Sequence, residues 1–571
     1  MRHELLVVLI ASLVFLGNTL TPSLMDDVDA VQAQIARNML ESGDWVTARL
    51  NGVPYLEKAP LKYWMIAASF AVFGVRDWAA RLPLALSAVA LCWLVARIGA
   101  WAFSPRAGLY AGLVLATSAG MFLFTRILIP DVVLTLAITL AMWSLLRALE
   151  EDRRRWPALF WGSMGVGFLL KGLIAMLFPL GVSVLYLVAA RRTSEWRRLR
   201  PLAGVTLVAA IALPWVVLAT LRNPPYFDFT LRSEPGQYRG FFWFFFFNEH
   251  LLRFLNLRHP RDYNTVPRLL FWALHLVWLF PWSAYFPAMA RLRFRGDDRA
   301  ARLRLLALCW CGFILLFFTF STTQEYYSMP CYPALALLLG SAIDSGGAWV
   351  RRGARAIGVI AAVLAVGLGA ILWMVHDTAA PGDIARALTL NPEAYTLSLG
   401  HLKDLTLPAF AYLKLPLALA IAAFLVGALR PTVAGAAAMM VIFTHAARLA
   451  LVAFDPYLSS RPLAEALRLA PAGQVVFDSQ YYTFSSVFFY AGVDGLLLNG
   501  RVNNLEYGSY APGAPRVFID DAEFVRIWSE PSRAYLLVEG PSVGRVERLV
   551  GRERLHEVAA SGGKHLFANG K

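Results

Sequence analysis

About 13 long apolar stretches constrain this chain more than any other feature of its sequence. A helix needs about 20 apolar residues to cross the hydrocarbon core of a bilayer. We therefore predict an all-α, polytopic helical bundle in a membrane. The predicted spans lie near residues 5–22, 80–102, 107–125, 130–149, 157–170, 173–190, 201–220, 266–289, 303–320, 328–344, 356–375, 409–429 and 433–453.

The composition agrees with this class of protein. The chain is 58% hydrophobic and 16% charged, whereas about a quarter of the residues of soluble domains are charged. Its formal net charge of +15 could indicate nucleic-acid binding. However, the arginines cluster in short loops such as 153–155, 191–200 and 291–304, which is the pattern of cytoplasmic loops. We therefore expect membrane lipids, and not nucleic acid, as partners.

The same arginines set the predicted orientation. With the spans above, each arginine cluster falls on the side of the N-terminus. The apolar run 61–75 would reverse every later loop if it crossed the membrane, so we predict that it is an interfacial helix on the outer surface. A tilted crossing by this short run is the alternative. The polar first loop, 23–79, then faces the outside.

Residues 455–571 differ in character, because glycine, proline and charged residues become more frequent. Short β-type runs and helix-like stretches alternate there, which predicts a small α/β domain on the outer side. This region has no phosphate-binding glycine loop, so we interpret it as accessory to a membrane domain formed by residues 1–454. The predicted strands are Val475–Phe477, Arg516–Ile519 and Tyr535–Val538, and the predicted helices are 461–470, 520–529 and 541–551.

Three aspartates, Asp26, Asp27 and Asp29, lie just after the first span. One carboxylate would be enough to cap the amphipathic helix that follows. Three at an apolar boundary repel one another and raise their pKa values, which suits a general base or a cation site. We therefore predict that they are catalytic. Asp131, which follows Pro130 at the start of a span, is a fourth candidate, and helix capping is its alternative role.

Four basic residues on the outer side are predicted to bind a phosphate. Lys58 pairs with Glu57 between two prolines, and Lys171 interrupts the apolar run 157–190, where we expect a tight hairpin. Arg126 and Arg253 lie on the same side. Cations that converge opposite acidic groups fit a phosphate leaving group, although contact with lipid headgroups is the alternative.

Other side chains of these loops offer hydrogen-bonding groups to a substrate. They are Tyr55, Glu249, His250, Tyr326 and Tyr327. Tyr326 and Tyr327 could equally anchor the chain at the membrane interface. Glu57 is a candidate ligand for a divalent metal ion, although the histidines of the long loop match no zinc spacing. We expect no organic cofactor.

Several sequence blocks together resemble one known family. They are IARNMLESGDWVTARLNGVPYLEKAPLKYW, RDWAARLPLALSA, TRILIPDVVLTLAIT, LLKGLIA, FFFNEHLLRF and YYSMPCYPALALLLG, followed by NLEYGSYAPG near the C-terminus. In this order they are similar to the bacterial dolichyl-phosphate-mannose–protein mannosyltransferase-like family, which includes the aminoarabinose transferase that modifies lipid A. These are C-type glycosyltransferases that use polyprenyl-phosphate sugars.

The resemblance implies a site that faces the periplasm. It implies that an aspartate of the first outer loop activates the acceptor, that Lys58 binds the donor phosphate, and that Asp131, Lys171 and Arg253 support it. The family usually has Asp-Pro-Asp-Glu before the amphipathic helix. Here an ungapped match places Val28 at the position of the catalytic aspartate, and a shift of one residue would place Asp27 there. The base is therefore left open between Asp27 and Asp29.

From residues and resemblance together we predict an inverting glycosyltransferase of the bacterial inner membrane. Its donor would be a sugar on undecaprenyl phosphate, and its acceptor lipid A, another glycan or a protein, bound at the periplasmic face by a monomer. A protein O-mannosyltransferase-type enzyme is one alternative. A transporter or flippase of lipid-linked sugars is another, which the absence of repeated halves disfavours.

Overall fold

The structure is a computed structural model that describes residues 2–260, 266–321, 323–380, 382–388 and 405–570. The chain is mainly helical up to Ala453. Its helices in this part are α1 (Arg2–Phe15), α2 (Asp29–Ser42), α3 (Leu61–Phe73), α4 (Asp77–Ala102), α5 (Pro105–Ala116), α6 (Ala119–Arg126), α7 (Asp131–Glu150), α8 (Arg155–Lys171), α9 (Ile174–Ala189), α10 (Pro201–Arg222), α11 (Gly240–Phe242), α12 (Arg268–Trp278), α13 (Phe286–Met289), α14 (Arg299–Phe320), α15 (Tyr332–Ser345), α16 (Ala348–Met374), α17 (Lys414–Leu429) and α18 (Val433–Ala453). A π-helical segment, Trp243–Leu252, continues α11.

The apolar helices confirm the prediction of a polytopic membrane protein. Among the described residues, seven helices are long and apolar enough to cross a membrane, and up to nine segments are if the two bent pairs each count as one span. The other helices at predicted spans are shorter: α1 and α15 have 14 residues, α8 has 17 and α9 has 16. At about 1.5 Å per residue these fall short of a ~30 Å hydrocarbon core. The predicted total of about 13 spans is therefore not confirmed.

Small residues allow the central helices to pack closely. A Cβ atom on Gly340 of α15 would lie 2.6 Å from the carbonyl oxygen of Ala107 in α5, so only glycine permits this approach. The neighbouring helices α7 and α8 are antiparallel and joined by the short segment 151–154. As a result, the first residue of α7, Asp131, and the last residue of α8, Lys171, lie at the same end of the bundle.

The first outer loop is folded against that end. Val31, Ile35 and Met39 of α2 are buried, as the amphipathic pattern predicts, and the helix ends at Gly43 with a φ of 71°. A short antiparallel pair, β1 (Arg49–Leu50) and β2 (Val53–Pro54), connects α2 to α3. Helix α3 has 13 residues and is about 20 Å long, too short for an upright crossing. This length agrees with the predicted interfacial helix.

The C-terminal region alternates strands and helices. Its elements are α19 (Asp455–Leu458), α20 (Arg461–Leu469), β3 (Gln474–Asp478), α21 (Ser485–Ala491), β4 (Leu496–Leu498), α22 (Asn503–Ser509), β5 (Phe518–Ile519), α23 (Asp521–Ser529), β6 (Ala534–Glu539), α24 (Gly540–Val550), β7 (His556–Ser561) and β8 (Lys564–Ala568). The strands form a six-stranded sheet of order β5-β4-β3-β6-β8-β7. The first four strands in this order are parallel, and β8 and β7 are antiparallel to their neighbours. The predicted strands coincide with β3, β5 and β6, and the predicted helices with α20, α23 and α24.

This region docks onto the first outer loop through buried polar contacts. The Nδ2 atom of Asn51 donates a hydrogen bond of 2.7 Å to the carbonyl of Gly495, and its Oδ1 accepts one of 3.2 Å from the Gly495 amide. Tyr507 of α22 stacks on Phe244, with ring centroids 4.0 Å apart. The C-terminal region therefore lies over the same end of the bundle as the predicted site.

Candidate active site

An ion pair forms where α7 begins and α8 ends. The Nζ atom of Lys171 lies 2.6 Å from Oδ1 of Asp131, whose side chain is almost fully buried. The other oxygen, Oδ2, is also buried and has no hydrogen-bond partner among the residues that the structure describes. A buried carboxylate oxygen normally has a donor. A substrate group or a water molecule could supply it here.

Two aromatic rings enclose the Lys171 ammonium. Its Nζ lies 4.8 Å from the ring centroid of Tyr327 and 5.4 Å from that of Tyr326, within the range of cation–π attraction. Both tyrosines come from the turn before α15. The structure thus brings together four residues that were predicted from three separate segments of the sequence.

His250 holds the turn that carries Lys171. The amide of Leu173 donates to Nε2 of His250 at 3.1 Å, so the proton of the neutral ring is on Nδ1, which donates to the carbonyl of Phe245 at 2.6 Å. Burial lowers the pKa of His250 and favours this neutral form. Gly172, with a φ of 66°, has no room for a side chain, since a Cβ would lie 2.2 Å from Nε2. The predicted hairpin at Lys171 is therefore confirmed, and His250 positions its backbone.

Arg253 connects the π-helical segment to the rest of the cluster. Its Nη1 lies 2.9 Å from Oε2 of Glu249 and 3.5 Å from Oε1 of Glu57, and its Nη2 donates to the hydroxyl of Tyr327 at 2.9 Å. The same tyrosine covers Lys171. A continuous series of contacts therefore runs from Asp131 to Glu57.

Glu57 is buried, and several donors bind its carboxylate. Its Oε2 accepts hydrogen bonds from the hydroxyl of Tyr55 at 2.5 Å and from Nδ2 of Asn504 at 2.6 Å, while Oε1 pairs with Lys58. Burial alone would raise the pKa of Glu57, but the nearby cations, first Lys58 and then Arg258 and Arg253, hold it well below its usual value of 4.5. The ionised carboxylate fixes Lys58, whose side chain remains 27% exposed. Lys58 is thus a cation that a ligand can reach.

Two members of this network were not predicted. Arg258 is 1% exposed and pairs with Glu249, and its Nη2 donates to Oδ1 of Asn504 at 2.6 Å. Asn504 belongs to α22, so the C-terminal region contributes a side chain to the cluster. The only sequence signal for it is the block NLEYGSYAPG, which begins at Asn504. Arg258 lies in a loop without any recognisable pattern.

A buried lysine was also missed. Lys62 of α3 is 2% exposed, and its Nζ donates to the side-chain oxygen of Gln32 and, at 3.1 Å, to the carbonyl of Leu128. Burial lowers the pKa of Lys62 well below its usual value, and its charged neighbours are Lys58, Glu57, Asp131 and Lys171. Lys62 therefore joins α2, α3 and the loop before α7 at the base of the site.

The structure separates the three aspartates of the first loop. Asp29 is fully buried, accepts from the amide of Leu128 at 3.0 Å and lies 3.5 Å from Nη2 of Arg81. Asp26 contacts the C-terminal region, where Lys564 lies 2.9 Å from its Oδ2. Asp27 is half-buried and has a φ of 74°, which is unusual for a residue other than glycine. Asp29 thus fixes the loop that leads to Asp131, and Asp26 fixes the C-terminal region.

Arg126, predicted to bind the donor phosphate, lies apart from Lys58, Lys171 and Arg253. It faces a cavity between α1, α4 and α6, and its charged neighbours are Arg81, Asp29, Asp455 and Arg448. The spacing of the sequence could not show this, because Arg126 and Asp131 are close in the chain but the intervening loop turns between them.

The residues around Glu57 do not form a good set of metal ligands. Its two oxygens already bind Lys58, Tyr55 and Asn504, and the nearest further charged groups are arginines. In the described ranges, no group of three or more His, Cys, Asp or Glu residues is arranged to hold a metal ion.

Sequence comparisons point to one group of transferases. Residues 57–218 match the family model described as dolichyl-phosphate-mannose-protein mannosyltransferase. The chain is 33% identical over 325 residues to an undecaprenyl phosphate-alpha-4-amino-4-deoxy-L-arabinose arabinosyl transferase 2 of Pseudomonas fluorescens, covering 54% of this chain and 51% of that one. A second transferase of this name, also from Pseudomonas fluorescens, is 30% identical over 391 residues and covers 65% and 61%. The chain thus matches about half to three fifths of the length of these relatives.

Comparison with solved structures extends over nearly the whole chain. The crystal structure of ArnT from Cupriavidus metallidurans bound to undecaprenyl phosphate has a TM-score of 0.78 at 24% identity, covering 99% of this chain and 97% of that one. Its apo form gives a TM-score of 0.76 at 23% identity. At 23–24% identity, this similarity shows a common fold. The resemblance to the dolichyl-phosphate-mannose–protein mannosyltransferase family is therefore confirmed in sequence over residues 57–218, and the chain has the fold of ArnT over almost its whole length.

Proposed function

We propose that this protein transfers a sugar from undecaprenyl phosphate to lipid A or another envelope acceptor at the periplasmic face of the inner membrane. The observation that carries the proposal is the joined cluster of Lys58, Lys171 and Arg253 with Glu57 and Asp131 at one end of an apolar bundle. Cations held by buried carboxylates are preorganised to bind a phosphate. The names of the similar transferases and the fold of the undecaprenyl-phosphate-bound ArnT support the choice of donor.

The proposed reaction is a single displacement with inversion. A base takes the proton of the acceptor hydroxyl or phosphate, and the acceptor oxygen attacks the anomeric carbon. The bond between that carbon and the phosphate oxygen breaks, and polyprenyl phosphate leaves. Lys58, Lys171 and Arg253 stabilise the negative charge that develops on the leaving phosphate.

Among the aspartates of the first loop, Asp27 is the base we propose. Asp26 holds the C-terminal region through Lys564, and Asp29 holds the loop before α7 through the amide of Leu128, so we assign positioning roles to both. Asp27 is half-buried in a left-handed backbone conformation, and its amide donates to the carbonyl of Tyr482 and to Ser485 Oγ. Strained backbone held in place by neighbouring contacts is common at active sites. Asp131 then orients Lys171, and Asp29 positions the loop that leads to Asp131.

The proposed topology has about 13 crossings, with the site and the C-terminal region outside. This topology is supported by the positions of the helices, by the short length of α3 and by the arginine-rich loops on the side opposite the site. Single cysteines at Arg154 and at Gly513 would test it, because all four native cysteines are buried. A membrane-impermeant maleimide should label Gly513→Cys and not Arg154→Cys in spheroplasts. The reverse pattern would overturn the topology.

Transfer by purified protein in lipid vesicles tests the function. Labelled undecaprenyl-phosphate aminoarabinose and undecaprenyl-phosphate mannose are offered with lipid A. We expect Lys58→Met, Lys171→Met and Asp27→Asn each to lower transfer about 10²- to 10³-fold, and Lys414→Met, at a lysine remote from the cluster, to leave it unchanged. Movement of donor across the vesicle membrane without transfer would instead support a flippase. Full activity of Asp27→Asn with loss in Asp29→Asn would move the base to Asp29.

A further inference from the structure

A polar cavity, separate from the Lys58 cluster, lies between α1, α4 and α6. Its lining combines apolar and basic side chains. The apolar ones are Val14, Phe15, Ala85 and Phe122, and the polar ones are Asn18, Thr19, Arg81, Thr125 and Arg126.

Arg126 lacks a partner in this cavity. Its side chain is only 7% exposed, and its Nε and Nη2 atoms form no hydrogen bond within the described part of the chain. Arg81 Nε, Thr125 Oγ1 and Asn18 Oδ1, around the same cavity, are likewise buried without partners there. Burying a guanidinium without an acceptor is costly, and such groups in membrane proteins usually have a ligand or a counter-ion.

The surrounding charges leave an excess of one cation. Arg81 and Arg448 are basic neighbours of Arg126, and Asp29 and Asp455 are acidic ones. The acids are already engaged, because Asp29 contacts Arg81 and Asp455 Oδ2 accepts from Ser23 Oγ at 2.8 Å. Three cations and two anions make the cavity electrostatically suited to an additional anion.

We propose that this cavity is a subsite for the phosphate group of an anionic lipid. The guanidinium of Arg126 presents unpaired N–H donors, and phosphate oxygens are the acceptors that match such a fork. The adjoining helix α1 exposes Leu5, Leu9 and Leu13 by 54–60%, an apolar face suited to acyl chains. The subsite is distinct from the proposed donor site, since Asp29 and the loop before Asp131 lie between them.

Equilibrium binding to the full-length protein in lipid-free detergent tests this subsite. The probes are lipid A, the same lipid A without its phosphates, phosphatidylglycerol and inorganic phosphate, all without donor, so that the result does not depend on transfer. We expect wild type to bind phosphorylated lipids, and Arg126→Met to weaken this binding about 10- to 100-fold, the loss for charge-assisted hydrogen bonds. Arg126→Lys, which keeps the charge, should weaken it less. Arg76→Met, at an exposed arginine before α4, is the control and should bind like wild type.

The comparison of lipid A with phosphatidylglycerol distinguishes the source of the phosphate. Tighter binding of lipid A than of phosphatidylglycerol would assign the subsite to an acceptor-type lipid, and the reverse to bulk phospholipid; either result supports a lipid phosphate. Equal affinity for phosphorylated and dephosphorylated lipid A would overturn the proposal. So would equal affinity of wild type and Arg126→Met, or displacement of the lipid by inorganic phosphate at the same concentration. If the wild-type protein bound these lipids but transferred no sugar in the vesicle assay, only the proposed function would be refuted.

Discussion

Asn504 and Glu57 lie 447 residues apart in the chain, and Nδ2 of Asn504 donates a hydrogen bond of 2.6 Å to Oε2 of Glu57. The Oδ1 atom of the same amide accepts from Arg258 at 2.6 Å. One asparagine of the C-terminal region therefore satisfies both a carboxylate and a guanidinium beneath Lys58. It acts through Glu57 and Arg258, and so is a positioning residue.

Replacing Asn504 with leucine should impair transfer more than it impairs folding. The variant leaves Glu57 and Arg258 each short of one partner, a cost of about 1–3 kcal/mol for each buried group. Because Glu57 fixes Lys58, we expect kcat to fall about tenfold or more, with a smaller change in KM for the donor. Gln474→Leu, at an exposed amide of β3, is the matched control. Equal kinetics of the two variants would show that the C-terminal region does not support the site.

The ionisation of Glu57 predicts a particular dependence of stability on pH. Its pKa is lowered in the folded protein from a usual value of 4.5, so ionised Glu57 stabilises the fold above that pH. This stabilisation is lost as the pH falls below 4.5 towards the folded pKa. The melting temperature of wild type should therefore fall more steeply than that of Glu57→Gln between about pH 5 and pH 3.

Melting curves followed by tryptophan fluorescence across this range provide the measurement. Glu57→Gln should be less stable than wild type at pH 7, and the two should converge in acid. Glu41→Gln removes an exposed carboxylate of α2 that pairs with Arg37 at 2.7 Å, so its curve should run parallel to that of wild type. Parallel curves for Glu57→Gln as well would contradict the lowered pKa.

Much of the architecture could be predicted from the sequence because its causes are local. Apolar length located the membrane helices, and the isolated Lys171 within an apolar run located the hairpin between α8 and α9. The total of about 13 spans stays a prediction, because helices such as α1 and α15 are shorter than the apolar stretches that contain them.

The site was predicted less completely because its partners are distant in the chain. Nothing near Asn504 in the sequence indicates that it meets Glu57, and Lys62 looks like an interruption of an apolar run until the fold places it beside Gln32. The surroundings of Asp26, Asp29 and Arg126 could not be predicted either. Their charge at a membrane boundary predicted chemistry, but only tertiary structure shows that the two aspartates hold neighbouring segments and that Arg126 faces another cavity.

The Asp131–Lys171 pair should show strong energetic coupling. Lys171→Met leaves both oxygens of a buried carboxylate without a donor, and breaking a buried pair in this way costs about 3–5 kcal/mol. Asp131→Asn in the same background removes the uncompensated charge, so the double variant should be more stable than the sum of the single effects by about 1–3 kcal/mol. Denaturation of the four proteins in detergent gives this coupling. The partly exposed pair Arg37–Glu41 should give only about 0.3–0.5 kcal/mol, and a similarly small value for Asp131–Lys171 would contradict the buried geometry.

The turn at Gly172 should be intolerant of a side chain for two separable reasons. Alanine there would adopt a φ of 66°, which costs about 1–2 kcal/mol, and its Cβ would meet His250 Nε2 at 2.2 Å. His250→Ala removes the second obstacle and leaves the first. We therefore expect Gly172→Ala to lower both the melting temperature and transfer strongly in wild type. When His250 is already alanine, the cost should fall to the backbone strain and a milder contact with Phe245 Cζ at 3.1 Å. Gly367→Ala, in open space on α16, should be neutral or stabilising, since alanine favours a helix over glycine. If Gly172→Ala lowered stability equally in wild type and in His250→Ala, His250 would not be the group that confines the turn. The position of Lys171 would then depend on the glycine backbone alone.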